Sequence, residues 1–344
     1  MPNQKKNRLF QTGIFISLSF TVIGVLGYYI TNDKTPNANL IKPEWASLKP
    51  GSKVLFFQAK REVSRSLFYG FWGDESLGEQ YSVDPSFNVV KVGSNWKFRS
   101  LKTGLIEELH VNEVDGNIQE KTFWLGSDIF GRDVLSRLII GTRISLSIGL
   151  LSMILSLIIG ITIGLCAGYF GGWIDKVLSW LITVFWSVPT LLLALGLSVF
   201  LGKGYFQVLI ATGLSTWVEV ARVVRGQTKE LSKREFILSS KITGFSSFHI
   251  MFKHILPNLT GTLTVLATTN FASAILLEAG LGFLGLGVEP PIPSWGTMVK
   301  ENLGYLVLDQ AYLAIIPGVA IMMLVMSFNL LTMGLRDYFS EDSV

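Results

Sequence analysis

The chain has 344 residues, 49% of them hydrophobic and only 16% charged, against about a quarter charged in an average soluble domain. The net charge of +4 and the pI near 9.0 would suit a nucleic-acid binder. However, 25 of the 54 charges fall in residues 31–130, which marks a membrane protein with one polar insertion and excludes an ordinary soluble enzyme; Lys/Arg-rich inner loops account for the basic balance, and no nucleic-acid partner is expected.

In chain order, uncharged or nearly uncharged runs predict six spans at roughly 12–31, 144–168, 176–200, 205–223, 259–281 and 311–335. The first follows a basic start (Lys5, Lys6, Arg8), but its apolar stretch exceeds a signal h-region and no small-x-small site follows. It is expected to stay as an uncleaved anchor. With the N-terminus inside, the inner segments carry 12 Lys/Arg, whereas the short outer loops carry Lys203 and Lys300. Arg132, Arg137 and Arg143 belong to a long translocated segment that is largely exempt from the rule. Both termini are therefore expected to be cytoplasmic and the insertion extracytoplasmic.

Residues 32–125 are expected to form a small β-containing module between the first span (residues 1–31) and the remainder (residues 126–344). Asn88 to Val92, Gly93-Ser94-Asn95 and Trp96 to Arg99 read as a hairpin; Ile106 to Val114 supplies a further strand, with Asp115-Gly116 as a turn. The module is either a structural cap or a docking element for an external partner.

From Trp124 to Leu146, Val134, Leu135, Leu138 and Ile139 share one helical face and Arg132, Asp133, Ser136 and Arg137 the other. This predicts an interfacial helix before the chain turns into the second span at Gly141. The loop 223–258 follows. Ser232-Lys-Arg-Glu235 reads as a capping box for a helix running to about Thr243. Gly244 sits where a positive φ is wanted, Ser246 or Ser247 caps a second short helix, and Pro257 ends it. Phe236, Ile237, Ile250, Met251 and Phe252 are expected as apolar knobs of a docking element, with Lys241 and Lys253 as its charges. Finally, Gly280, Gly282, Gly285 and Gly287 allow close helix contact, and Pro290, Pro291 and Pro293 then stop the helix in a rigid outer turn.

The single cysteine, Cys166, excludes intrachain disulfides and Cys-rich zinc or redox motifs. No catalytic, metal-binding or phosphate-loop pattern occurs, so any ATP-hydrolysing site must lie on another chain. Glu219 and Glu278, read as lying near span ends, are the main ionisable groups there, which disfavours an ion-coupled carrier.

These blocks resemble the inner-membrane permease subunits of dipeptide/oligopeptide (and nickel) ABC importers, specifically the second, C-type subunit. Leu125-Gly-Ser-Asp…Gly131-Arg-Asp-Val-Leu-Ser-Arg137 looks like that subunit's opening segment. Phe283-Leu-Gly285-Leu-Gly287…Pro290-Pro291…Pro293-Ser-Trp295-Gly296 looks like its extracytoplasmic signature, and Asn329-Leu-Leu…Gly334-Leu-Arg-Asp337 like its ending. The loop resembles the ATPase-coupling loop through Arg234-Glu235-Phe236, Gly244 and His254-Ile-Leu-Pro257-Asn258; where the family has Glu-Ala-Ala, this chain has Leu238-Ser239-Ser240.

The resemblance implies an all-α permease domain of the type I importer fold that is itself not an enzyme. It implies that the chain binds no cofactor, with ATP used by partner subunits. Its partners would be a second homologous permease subunit, two ABC ATPases, an extracytoplasmic substrate-binding protein and the bilayer of the cell membrane, with peptides as the default substrate. The alternative from another class is a membrane-anchored scaffold or sensor that uses the insertion.

Overall fold

A computed structural model describes residues 2–59, 73–74, 80–86, 89–114, 117–307 and 310–341. Helix α1 (Pro2–Val25) and a short turn, Gly27–Ile30, lead into the insertion. The chain then forms α2 (Val134–Phe170), α3 (Gly172–Trp186), α4 (Thr190–Leu201), α5 (Tyr205–Leu231), α6 (Glu235–Ile242), α7 (Thr260–Leu284), α8 (Trp295–Glu301) and α9 (Tyr312–Glu341). Among the described residues five helices are long and apolar enough to cross a membrane, or six if α3 and α4 form one span.

Two expectations about these helices are corrected. The third span is not continuous: α3 and α4 are bent by 88° at Ser187-Val188-Pro189, because Pro189 has no N–H and biases the residue before it away from helix. No interfacial helix ends at Gly141 either. Helix α2 runs unbroken for 37 residues, about 55 Å, and Gly141 lies inside it, where Trp295 packs against its Cα side.

The bundle is built on small residues. Ser152, Ser156, Gly160, Gly164 and Gly168 recur every fourth position on α2 and are buried. A Cβ at Gly160, Gly164 or Gly168 would come within 2.6, 2.8 and 2.6 Å of the Cβ atoms of Val220, Val224 and Thr228, so α2 and α5 approach nearly backbone to backbone. In apolar surroundings, where burial gives little drive to associate, such close packing holds helices together. Trp295 of α8 is fully buried among Val134, Phe271, Ile275 and Leu324, donates Nε1–H to the Leu138 carbonyl (3.0 Å), and meets Phe20 edge to face.

The insertion holds two three-stranded antiparallel sheets. The first has the order β2-β1-β6 (Gln80–Val83, Ser52–Gln58, Gln119–Phe123) and the second β3-β4-β5 (Val90–Val92, Asn95–Arg99, Ile106–His110). Strands β3 and β4 join through Gly93-Ser94, with Val92 opposite Asn95. The expected strand from Ile106 stops at His110, beyond which Val111–Glu113 is 3-10 helical; Asn88 and the Asp115-Gly116 turn lie outside the described residues.

Candidate functional site

Helix α5 continues as a helix past Arg222 to Leu231, so the segment that departs from the bundle begins at Ser232. The expected capping box does not form. Ser232 is the C-cap of α5, in right-handed helical conformation, and its hydroxyl donates to the Thr228 carbonyl (2.7 Å). Arg234 takes the N-cap position of α6 without a side-chain cap and pairs with Glu230 at 3.2 Å, while Glu235 sits exposed in the first turn. Ser232 is still in helical conformation at the end of α5, two residues before the N-cap of α6, so it is not placed to cap that helix.

Helix α6 closes in a Schellman arrangement. Phe245 N–H donates to the Ser240 carbonyl (3.2 Å) and Gly244 N–H to that of Lys241 (3.1 Å), with Gly244 at φ +84°. Ser239 contributes its carbonyl to the last turn, accepting from the N–H and hydroxyl of Thr243. The Ser246 hydroxyl then accepts the His249 N–H (3.3 Å) and starts the next helix.

Pro257 does not end that helix, contrary to expectation. Ser247–His249 passes through a π-helical stretch, Ile250–Ile255, into Leu256–Asn258 and on to α7. Pro257 falls in the first turn of Leu256–Asn258, where a missing N–H is tolerated, and the wider π turn directly precedes it. His254 stacks near Phe245 and His249 (ring centroids 5.9 and 5.4 Å), and its Nε2 is buried without a partner.

Which apolar side chains face outward also differs from the sequence reading. Ile237, Ile250 and Met251 are fully buried with Leu165, Val220 and Val224; they anchor the segment to the bundle. Exposed instead are Phe236, Leu238, Ile242, Phe245, Phe248 and Phe252, with Ile242 at 88% and Phe248 at 69%. Phe236 and Phe252 were expected; the other four were missed. Helical spacing carries the signal: Leu238 and Ile242 are four apart, and Phe245, Phe248 and Phe252 follow i, i+3, i+7, opposite the buried set.

The segment and the end of α5 that leads into it are tied to the ends of α2 and α3. Asp175 accepts from Arg225 at 2.5 and 2.9 Å and from Lys229 at 3.3 Å, and Lys241 lies over the Tyr169 ring at 4.8 Å.

At the other end of the bundle, the glycine–proline block forms a tight seam. Gly285 caps α7 in left-handed conformation. A Cβ on Gly287 would meet the Gly282 Cα at 2.5 Å, and one on Gly296 the Ala279 carbonyl oxygen at 2.5 Å. Gly280 has only Leu191 within 4 Å of such a Cβ and is not part of the seam. The peptide bond Pro290-Pro291 is cis, the Pro293 carbonyl lies beside Gly141, and Ser294 caps α8 through a capping box with Thr297. Glu278, read as terminal, is fully buried in α7, and Ser145 donates to its Oε2 at 3.0 Å.

Beside the seam, the face expected to lie polar side outward is instead closed. Arg132, Asp133, Ser136 and Arg137 are all at most 4% exposed. Arg132 pairs with Asp128 (2.6 Å) and Glu301 (2.8 Å), and Arg137 with Glu301 (3.3 Å). Asp133 caps α2 at the Ser136 N–H, and the Ser136 hydroxyl also accepts from the Asp33 N–H (3.0 Å). The insertion covers these charges, with Lys42 N–H bonded to the Phe130 carbonyl and Ser47 N–H to that of Asp128.

Among the described residues no group of three or more His, Cys, Asp or Glu could hold a metal ion. The arrangement offers an apolar, jointed docking segment rather than a reaction centre.

Residues 160–342 match the family described as binding-protein-dependent transport system inner membrane component. The chain is 39% identical over 214 residues to the glutathione transport system permease protein GsiD of Pectobacterium atrosepticum, covering 62% of this chain and 71% of that protein. It is 39% identical to the dipeptide transport system permease protein DppC of Alkalihalophilus pseudofirmus (62% and 70% covered). The oligopeptide transport system permease protein OppC of Bacillus subtilis is 38% identical (63% and 71% covered).

Proposed function

The chain belongs to the family of binding-protein-dependent transport system inner membrane components, and from that premise we propose that it imports di- or oligopeptides by docking an ATPase through residues 232–258. It is a multi-pass, non-catalytic permease subunit of an ABC importer; hydrolysis belongs to separate ATPase subunits. In this reading it forms half of the translocation path in the cell membrane with a second homologous permease. Two ATPases bind on the cytoplasmic side, where both termini lie, and a binding protein delivers substrate on the side of the insertion.

The observation that carries the docking assignment is the exposed face of Phe236, Leu238, Ile242, Phe245, Phe248 and Phe252, held on a segment whose opposite face is buried in the bundle. Six large apolar side chains turned outward call for a partner surface. Anchored from beneath by Ile237, Ile250 and Met251, the segment transmits a push to α5 and α7 rather than yielding to it, as a rigid-body mechanism requires. Peptide substrates are supported by the names of the relatives; the docking segment carries no substrate information.

The test is reconstitution of the chain with its partner permease, ATPases and binding protein. A tripeptide should be taken up with ATP hydrolysis, and Gly244→Val should abolish both ATPase retention and uptake while still pairing with the second permease. Full retention and uptake in Gly244→Val would remove the docking assignment; hydrolysis unaffected by any peptide would remove the substrate assignment.

A further inference from the structure

The elbow between α3 and α4 opens a cavity of about 250 Å³ against α5 and α7. Its polar lining is Thr190, Ser215, Thr216, Glu219, Asn270 and Ser273, and the aromatic rings of Phe185 and Trp186 complete the wall. Glu219 lies on α5 three residues before Arg222, near the end of the apolar run of that helix. It is exposed on the cavity wall and has no hydrogen-bond or ion-pair partner among the described residues. Arg222, one helical turn further along, lies over the Trp186 ring of the cavity wall at 3.9 Å.

A second polar group at the same cavity is also incomplete. Asn270 is 5% exposed, and its Nδ2 is fixed by donation to the Ser156 hydroxyl (2.9 Å) and the Thr216 carbonyl (3.3 Å). That geometry assigns the amide orientation and leaves Oδ1 buried with no donor. A carboxylate without a partner is open to a cationic ligand, and a buried amide oxygen lacking a donor costs about 1–3 kcal/mol. The site therefore holds one unpaired carboxylate, Ser and Thr hydroxyls that donate or accept, and an amide oxygen without a donor.

We propose that this cavity is a cation subsite on the translocation path, in which Glu219 receives the α-ammonium group of a passing peptide and the Asn270 region supplies neutral acceptors. An ammonium group carries three donors and one positive charge, which complements the unpaired Glu219 carboxylate and the hydroxyl acceptors of the wall. The volume is below the roughly 300–1,000 Å³ of pockets that enclose a drug-sized ligand, so it takes a peptide's amino end rather than the whole molecule. Partial enclosure suits a path, since a site that engulfed the substrate would retain it. This inference rests on the peptide reading above.

The experiment uses the complete importer with its ATPases and binding protein, and compares uptake of trialanine with that of N-acetyl-trialanine. Glu219→Gln should slow trialanine uptake by about tenfold or more, the size expected for a charge-assisted hydrogen bond. Glu219→Asp should stay within about threefold of wild type, and acetylated-peptide uptake should not change in either variant. Equal uptake of trialanine by wild type and Glu219→Gln, or an equal loss for both peptides, overturns the subsite while leaving the peptide reading intact. Loss of the second permease from purified Glu219→Gln also overturns it, in favour of an ion pair between subunits. If the wild type takes up neither peptide, the peptide reading fails and the subsite with it.

Discussion

At the N-terminus of α2 the charges are inside, and around its C-terminus the aromatic rings are outside. Arg132 and Arg137 are 4% and 3% exposed, whereas Phe248 and Ile242 are 69% and 88% exposed. The first region is closed within one chain: Asp128 and Glu301 pair with the two guanidinium groups and the insertion's backbone bonds across beside them, with Arg137 Nη1 the one guanidinium nitrogen left buried without a partner. The second is left incomplete, because an apolar face that finds no cover in its own chain gains stability only by covering a partner. The contrast separates a sealed end from an end whose apolar face stays open within this chain.

The largest expected effect breaks the sealed end. Arg132→Ala strands Asp128, whose side chain is 5% exposed, and should destabilise the protein by about 3–5 kcal/mol, the cost of a buried charge left unpaired. Thermal unfolding in detergent measures this; a midpoint equal to wild type would mean that the network is ornamental.

A pair of glycines sharpens the comparison. Gly131 (φ +74°) and Gly244 (φ +84°) both adopt left-handed backbone, but a Cβ at Gly131 would overlap the Lys42 carbonyl, whereas one at Gly244 meets nothing within 4 Å. Gly131→Ala should therefore add about 1–3 kcal/mol of overpacking to the conformational cost, and Gly244→Ala should show only that cost, about 1 kcal/mol. Similar losses at both sites would erase the distinction between a packed and an open end.

Smaller still on the stability scale is the double variant Ile242→Ser/Phe248→Ser. Surface changes away from packing contacts usually stay within about 0.5 kcal/mol, so the unfolding midpoint should hold while ATPase co-purification falls. Retention should weaken little at high salt, since the contact is apolar rather than ionic. Retention that collapses with salt in the wild type would reassign the contact to charges such as Arg234 and Glu235.

The smallest effect concerns Asp133. Burial holds its carboxyl above the usual range, offset by the Ser136 hydroxyl and the Lys121 charge. The folded state thus binds the proton more tightly, and stability should fall as pH rises from the unfolded value near 4 through the raised folded value, then level off. Asp133→Asn keeps a capping side chain and should lose that slope; an unchanged slope would place the titration elsewhere.

Much of the local design was legible. The Gly93-Ser94 hairpin, the left-handed Gly244 and the Ser246 cap all depend on residues near in sequence, where turn and cap chemistry acts. The capping box at Ser232 failed because α5 runs past its apolar stretch and holds Ser232 in helical conformation, which moves the N-cap of the next helix to Arg234. Pro257 failed as a stop because a π turn absorbed it. The four missed docking side chains obeyed a helical period that was present in the sequence but was interrupted by Gly244, so it did not read as one face.

The sequence by itself determined that this is a multi-pass membrane protein with a polar insertion, because apolar run length and charge distribution are properties of the chain alone. It also determined where the backbone must turn, since glycine and proline restrict or free φ locally. Only the tertiary structure decided which side of each amphipathic segment is inside. Periodicity separates two faces of a helix but does not say which one meets neighbours: the insertion covered the charged face of α2, and α2 and α5 covered Ile237, Ile250 and Met251. The same holds for the elbow at Pro189 and the cavity behind it, where the bend angle and the side chains that gather around Glu219 and Asn270 come from elements up to 92 residues apart, a distance at which no local preference acts.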